Sequence, residues 1–422
     1  MTLSYYLITG DNSVSVVNNG YTNGYSGEVV IPSEVYLNDN GMKVTAIADS
    51  AFMYCRGLRK VTVPNSVHEI GTYAFAISAL YQITLSKNIT EIKDYTFASC
   101  DELRSITIPD NVTRIGHLAF FGCAELHDVV LNEGLKSIGE GAFMSAGFFP
   151  GYLNVNLPNT LTKLGNAAFM GTEIHSITIP ASLDTIPLQA FAMCMKLQHV
   201  TIPNTVKCID GLAFYANNSL KSITIPNSVK HIGYGAFMWC DVLDEVAIGN
   251  GIEHIEEWAF GKLDASFYED LITTIEEAMD SVDIDDIDEL IEGWKEYIAD
   301  IIGDIHPIST VTCLATTPPV LESSAFAASY NWAKLNVPQR SLDLYKNAAE
   351  WKKFIFVNVG NQNDVNDDGE VNIADVNCVI NAICNEGIGS PRLDSNHDGE
   401  INIADINAIL DYILRGKDQS LQ

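Results

Sequence analysis

Residues 364–375 read Asp-Val-Asn-Asp-Asp-Gly-Glu-Val-Asn-Ile-Ala-Asp, and residues 394–405 read Asp-Ser-Asn-His-Asp-Gly-Glu-Ile-Asn-Ile-Ala-Asp. In both, oxygen-bearing side chains recur at positions 1, 3, 5, 9 and 12, and glycine stands at position 6. That spacing wraps a chain around one hard cation, with the glycine allowing the sharp turn and the position-7 carbonyl pointing inward. The first loop offers Asp364, Asn366, Asp368, the Glu370 backbone carbonyl, Asn372 (directly or through water) and Asp375. The second offers Asp394, Asn396, Asp398, the Glu400 carbonyl, Asn402 and Asp405. Three carboxylates, two side-chain amides and a carbonyl, completed by water, suit calcium, one ion per loop and two in all. Two such twelve-residue matches at a 30-residue offset are not a coincidence of polar turns.

Each loop must be held by the element that follows it. Val376, Val379, Ile380 and Ile383 form one apolar face at helical spacing, and Ile406, Ile409, Leu410 and Ile413 repeat it. One helix follows each loop, so these are half EF-hands, with Asp rather than Glu at position 12. Such a tandem resembles a type I dockerin over residues 361–416. The resemblance implies that calcium folds the tail and that one helix face docks on the sheet of a cohesin-like domain, in either of two symmetric orientations. Loop positions 10 and 11, often a Ser-Thr pair touching the cohesin in clostridial members, are here Ile373-Ala374 and Ile403-Ala404. Basic residues common further along are replaced by Ile380-Asn381 and Leu410-Asp411. By that resemblance these eight residues form the partner-binding surface.

The tail ends a longer, periodic chain. Phenylalanines fall at 52, 75, 97, 120, 143, 169, 191, 214, 237 and 260, in steps of 22 to 26 residues. A period in this range, sustained so long, means a solenoid built from one supersecondary unit. A typical unit, Leu103–Glu125, opens Leu-x-x-Ile-x-Ile-Pro: Ile106 and Ile108 alternate with polar neighbours as in a strand with one buried face. Pro109 ends that strand because it has no N–H to donate. Val112 and Ile115 add a second apolar pair, Gly116 marks a corner and Phe120 plugs the interior. No unit buries its own apolar face, so each needs neighbours on both sides. Outward threonines (Thr62, Thr84, Thr107, Thr178, Thr201 and Thr224) form a ladder that strand propensity and mutual side-chain contact explain, the alternative being a polar binding face. The pattern resembles the BspA-like leucine-rich repeats of bacterial surface proteins over residues 28–261 and again over 308–359. That implies a curved binding solenoid of short parallel strands, used for adhesion, with no catalytic residues carried over.

Residues 1–30 read as an N-terminal cap, with strand-like runs Tyr5–Thr9 and Ser13–Val17 around a Gly10-Asp11-Asn12 turn. Phe148 and Phe149, in a longer loop, are expected to tuck onto the solenoid flank, the alternative being an exposed pair that marks a contact site. Residues 262–306 break the repeat. Phe267, Leu271, Ile275 and Met279 make one helical stripe, and Ile287, Ile291, Trp294, Ile298, Ile301 and Ile305 another, predicting an acidic helical hairpin packed against the solenoid or, alternatively, a docking surface for a basic or apolar partner. The repeat resumes, and residues 340–358 close it, with Leu342–Phe354 as a short capping helix. Cys55, Cys100, Cys123, Cys194 and Cys240 all sit three residues after an anchor phenylalanine, where other units hold Ser78, Ala146, Thr172 or Asn217. A slot shared by such residues asks for a small side chain, so free buried thiols are expected rather than disulfides.

Net charge is −30 over 422 residues, which argues against binding nucleic acid through its phosphates. Two segments hold most of it: 15 acids against 2 lysines in 262–306, and 12 acids against 3 bases in 361–422. No apolar run is long enough to span a membrane. Met1–Gly10 lacks the basic start and apolar block of an export signal, so if the protein is exported its signal lies outside this sequence. The expected organisation is a solenoid over 1–360 and an all-α calcium-binding domain over 361–422. The expected function is a noncatalytic, exported or cell-surface binding protein, whose solenoid meets an unidentified protein or glycan and whose tail meets a cohesin-like domain. One alternative is an adhesin whose tail is only a structural module. A polysaccharide-degrading component is the other, but it needs a pair of acids in a cleft, and neither the repeats nor the nine scattered histidines offer one.

Overall fold

The structure is a computed structural model that describes residues 3–8, 13–18, 24–37, 39–149, 151–262, 307–330, 332–338, 341–354, 356–358, 365, 373–384, 393, 395, 401 and 403–418. The helical hairpin expected within 262–306 lies outside these residues, apart from Lys262. The chain forms two units, Met1–Thr205 with Ile209–Asn218, and Val206–Cys208 with Ser219–Gln422.

The first unit opens with the expected hairpin. Strand Ser4–Ile8 runs antiparallel to Ser13–Val17. The second of these pairs in parallel with Asn40–Ile47, which covers the open edge of the first rung. From there each repeat contributes two short strands to two parallel ladders. One ladder joins Ser105–Thr107, Asp128–Val130 and Asn154–Val155. The other joins Glu91–Ile92, Arg114–Ile115, Ser137–Ile138 and Lys163–Leu164. Registers match equivalent positions, Ile106 with Val129 and Val129 with Val155, so every apolar strand residue meets its own counterpart. Of the outward threonines, Thr62 pairs with Thr84 and Thr178 with Thr201.

The core is a column of rings. Phe52, Phe75, Phe97, Phe120, Phe143, Phe169, Phe191 and Phe214 are fully buried, and neighbouring centroids lie 5.0 to 5.6 Å apart with planes within 11°. The spacing follows the rise of about 4.8 Å between parallel strands, and Tyr25 closes the N-terminal end 4.9 Å from Phe52. Residues two before and two after each phenylalanine take left-handed backbone, as at Leu118 (φ 50°) and Gly122 (φ 66°) around Phe120. The two bends aim alternate N–H groups at the next rung. Leu118, Phe120 and Gly122 donate to the carbonyls of Glu140, Ala142 and Met144 at 2.9, 2.7 and 2.9 Å. A third ladder of bonds thus runs beside the two strand ladders. Gly116 is required for a different reason: a Cβ there would lie 2.6 Å from the backbone nitrogen of Asp94.

The small-residue slot has a second property. Cys100, Cys123 and Cys194 donate their thiols to the carbonyls of Phe75, Phe97 and Phe169 at 3.1, 3.1 and 3.2 Å. Asn217 fills the same role, donating to the carbonyl of Phe191 at 3.0 Å. The slot therefore favours a small donor that satisfies a buried carbonyl of the preceding rung. Cysteines 55, 100, 123, 194, 240 and 313 are buried and free of disulfides. Burial pushes the Cys100 and Cys194 thiols up to about 12, so they stay protonated.

Phe148 and Phe149 do not tuck away. They are 54% and 58% exposed and pack edge-to-face on each other at 4.9 Å. The backbone at Gly147 already lies against the Leu126 carbonyl and the Leu153 side chain, so the loop turns outward instead of covering the wall.

In the second unit the ladders join Ser222–Ile225, Glu245–Ile248, Thr310–Cys313, Lys334–Asn336 and Phe356–Asn358, and His231–Ile232, His254–Ile255 and Val320–Leu321. Phe237, Phe260 and Phe326 stack at 5.1 and 4.8 Å. The rung before residue 262 is therefore adjacent to the rung after 307, and the array resumes as its punctuation implied. The C-terminal cap differs from the single helix expected over Leu342–Phe354. Helix α1 is Leu342–Asn347, a 3-10 turn covers Trp351–Lys353, and a last strand, Phe356–Asn358, continues the ladder beyond them. Two buried anchors fix this cap: Tyr345 Oη donates to the Ala315 carbonyl at 3.0 Å and Trp351 Nε1 to the Pro319 carbonyl at 2.9 Å. Phe354 meets the Phe326 ring edge-on at 5.5 Å.

Candidate metal centre

Two helices follow the two loops: α2, Ile373–Cys384, and α3, Ile403–Asp418. Both begin at loop position 10, so the position-12 aspartates fall in their first turns, where the helix dipole favours negative charge. Among the described residues of the tail, Val365, Val376, Val379 and Ile409 form a buried cluster, flanked by Cys378, Leu393, Ile401, Ile406, Leu410 and Ile413. Loop positions 2 and 8 (Val365 and Ile401) thus join the same apolar cluster as the helices.

Of the twelve candidate ligands, Asp375 and Asp405 are described, while Asp364, Asn366, Asp368, Glu370, Asn372, Asp394, Asn396, Asp398, Glu400 and Asn402 lie outside the described residues. Both described aspartates are 0% exposed. Oδ1 of Asp375 accepts the backbone N–H of Val365 at 2.7 Å, closing the loop from position 12 onto position 2. A carboxylate taken out of water costs several kcal/mol unless it is paired or bound to a cation. Two buried carboxylates at matching positions, each ending a loop whose positions 1 and 5 hold two more (Asp364 and Asp368, Asp394 and Asp398), suit one divalent cation per loop. Ser395 Oγ, at position 2 of the second loop, is also buried and finds no hydrogen-bond partner among the described residues. The residues present therefore fit calcium.

The candidate docking residues are distributed unevenly. Ile373 and Ile403 are 63% and 70% exposed, so position 10 of each loop presents a bare apolar side chain to solvent. Ile380 and Asn381 are exposed on α2, and Ala404 is half-buried on α3. Leu410 packs against the core cluster. For Ala374 and Asp411 the helical backbone alone is described. The two apolar faces are imperfect copies as well: Ile380 and Ile383 stay 38% and 40% exposed on α2, while Leu410 and Ile413 on α3 join the core.

Reading the histidines as scattered missed one juxtaposition. His231 and His254 are register partners on adjacent strands, and Glu256 lies beside them. The signal was in the sequence: they stand one repeat, 23 residues, apart.

Residues 37–148 and 151–266 match the BspA type leucine rich repeat region, in 6 copies, and residues 362–414 match the dockerin type I domain. Among solved structures, the chain is similar to a leucine-rich repeat protein from Bacteroides ovatus (22% identity, 60% of this chain and 88% of that one, TM-score 0.31). It is also similar to the pneumococcal vaccine antigen PcpA (18% identity, 82% and 94%, TM-score 0.41) and to a leucine-rich repeat protein from Bacteroides capillosus (29% identity, 30% and 92%, TM-score 0.26). No curated protein matches it. With more than half its length matched by that repeat, and with short parallel strands stacked repeat on repeat, the chain belongs to the BspA type leucine-rich repeat family and carries a dockerin type I domain at its C-terminal end.

Proposed function

We propose that this protein is a noncatalytic, exported binding protein, with a solenoid over 1–360 and a calcium-dependent docking domain over 361–422. The observation that carries the reading is the pair of buried position-12 aspartates, Asp375 and Asp405, each opening a helix after a calcium-patterned loop. Asp364, Asn366, Asp368, the Glu370 carbonyl, Asn372 and Asp375 hold one ion, and Asp394, Asn396, Asp398, the Glu400 carbonyl, Asn402 and Asp405 the other. Calcium, when bound, supplies the charge that lets these carboxylates crowd two short loops. The chain's own contribution is to close each loop on a helix and to leave Ile373, Ile403 and Ile380 facing solvent.

In this reading those exposed residues, with their neighbours Ala374, Asn381, Ala404, Leu410 and Asp411, meet a cohesin-type domain. The dockerin match supports the partner class, and both matched families point to an extracellular or cell-surface location. The repeat match supports a noncatalytic solenoid, whose defining positions are core positions. Among the described residues no helix is long and apolar enough to cross a membrane.

The test is a capture experiment with the full chain as bait, in calcium and then in chelator, against purified cohesin domains of several specificities. A chain ending at residue 360 serves as the control. Calcium-dependent capture that the control lacks is the expected result. Calcium uptake by the tail with no capture of any cohesin would instead leave an adhesin whose tail is a structural module.

A further inference from the structure

His231 and His254 face each other across adjacent rungs with ring centroids 5.3 Å apart and planes at 76°. His231 Nε2 lies 2.9 Å from Glu256 Oε1, and His254 Nε2 lies 2.9 Å from Glu322 Oε1. Neither carboxylate is loose. The second oxygen of Glu256 accepts the backbone N–H of Tyr234 at 2.6 Å, and that of Glu322 accepts the N–H of Glu257 at 3.1 Å. One donor atom from each of His231, His254 and Glu256 lies within 4.8 Å of the other two, and among the described residues this is the one such group. The side chains are about one-third exposed, at 35%, 34% and 33%, so the group is reachable from solvent yet anchored in the wall.

We propose that His231, His254 and Glu256 form a binding site for a divalent transition-metal ion, zinc being the one to test, separate from the calcium loops. Two imidazoles and one carboxylate are the donor set of an open zinc site, which leaves a fourth position for water or another ligand. Bonds of about 2.0–2.2 Å in a tetrahedral arrangement need donors roughly 3.3 Å apart. Metal binding at this site therefore requires the three side chains to draw their donors together from within 4.8 Å. Glu322 stands behind His254 as a carboxylate that orients a ligating imidazole. Calcium is the wrong ion for this set, since it takes six to eight oxygens, whereas imidazole donors favour the later first-row divalent ions.

A plain pair of His–Glu hydrogen bonds explains the contacts between rungs. It does not require two histidines in the same register slot, with a third donor converging on them.

The experiment uses the full chain with saturating calcium, so that the loops are occupied before zinc is added. Zinc titration by calorimetry is expected to show one equivalent more in the wild type than in His231→Gln/His254→Gln. Cobalt(II) in place of zinc is expected to give visible d–d absorption in the wild type alone. Glu256→Gln keeps an acceptor for the Tyr234 N–H while removing the anionic ligand. Its metal-free melting temperature is expected to match the wild type, and its metal uptake to be lost or weakened at least tenfold. Equal zinc uptake by the wild type and the double histidine variant, or no calcium-independent uptake at all, overturns the site.

Discussion

Lys262 is 2% exposed and donates its ammonium to the carbonyls of Asp241 and Leu243, both at 2.9 Å. Burial is the main cause that lowers its pKa from 10.5 to about 8, with Cys240, Asp241 and Asp244 pulling partly the other way. Between those two values the unfolded chain holds a proton that the folded chain has released, so stability rises as pH rises through that window. Relative to Lys262→Met, the wild type should therefore gain stability from pH 7.5 to 10, by at most about 3 kcal/mol. Melting temperatures of both proteins across that range check this, and a constant difference would contradict it. A second prediction concerns backbone strain. Ala167 sits at φ 52° and is half-buried, while its neighbour Ala168 is fully buried in ordinary backbone. Left-handed backbone costs an L-residue about 1–2 kcal/mol, more than the chain entropy glycine adds. Ala167→Gly should accordingly stabilise by roughly 0.5–1 kcal/mol, and Ala168→Gly should destabilise, both read by denaturant melts. Such strain was illegible in the sequence. Tyr, Leu, Gln, Ser and Ala share the equivalent sites with glycines such as Gly122 and Gly141, so at the non-glycine sites residue type carries no trace of the φ angle. The cysteine slot was legible as small but not as a donor, because Ala146 breaks the chemical pattern while keeping the size.

At the level of the element, the phenylalanine and the alternating strand residues were legible because they are fixed by packing against copies of themselves. Phe120 lies 5.2 and 5.0 Å from Phe97 and Phe143, so its removal leaves a cavity bounded by two rings that cannot close on each other. Phe120→Ala should cost about 3–5 kcal/mol, readable as a lowered melting temperature. The cap was read less well. Leu342–Phe354 has the composition of one helix, yet the chain breaks at Ala348 so that Trp351 can reach the Pro319 carbonyl and Phe356–Asn358 can rejoin the ladder. Those are tertiary demands no local pattern states. In α2 the helical period was right, but Ile380 and Ile383 remain exposed, because a small domain has little core to offer a second row of side chains.

Across the whole molecule, the solenoid and the tail differ in what the described residues bury: stacked apolar rungs in one, and in the other a cluster of four apolar side chains and two carboxylates. Calorimetry of the full chain should therefore show a separate transition for the tail in calcium. Calcium at a hundred times its dissociation constant adds about 2.7 kcal/mol per site. Chelator should abolish that transition and leave the solenoid's unchanged, and a solenoid transition that shifts with calcium would contradict the division. The organisation into repeat and tail was legible because both are periodic, one at about 23 residues and the other at 30. The histidine pair was legible only as a one-repeat spacing, since its meaning depends on a register that the ladder supplies. That ladder also closes directly from Phe260 to Phe326, across a 66-residue step, as neatly as across 23. A rung asks only that its neighbour carry the same motif, not that it follow at once in the chain. Gene segments of one repeat can therefore be gained or lost by unequal recombination, each altering the wall by about 4.8 Å, and foreign segments can enter at a rung boundary while the reading of every other rung stays intact.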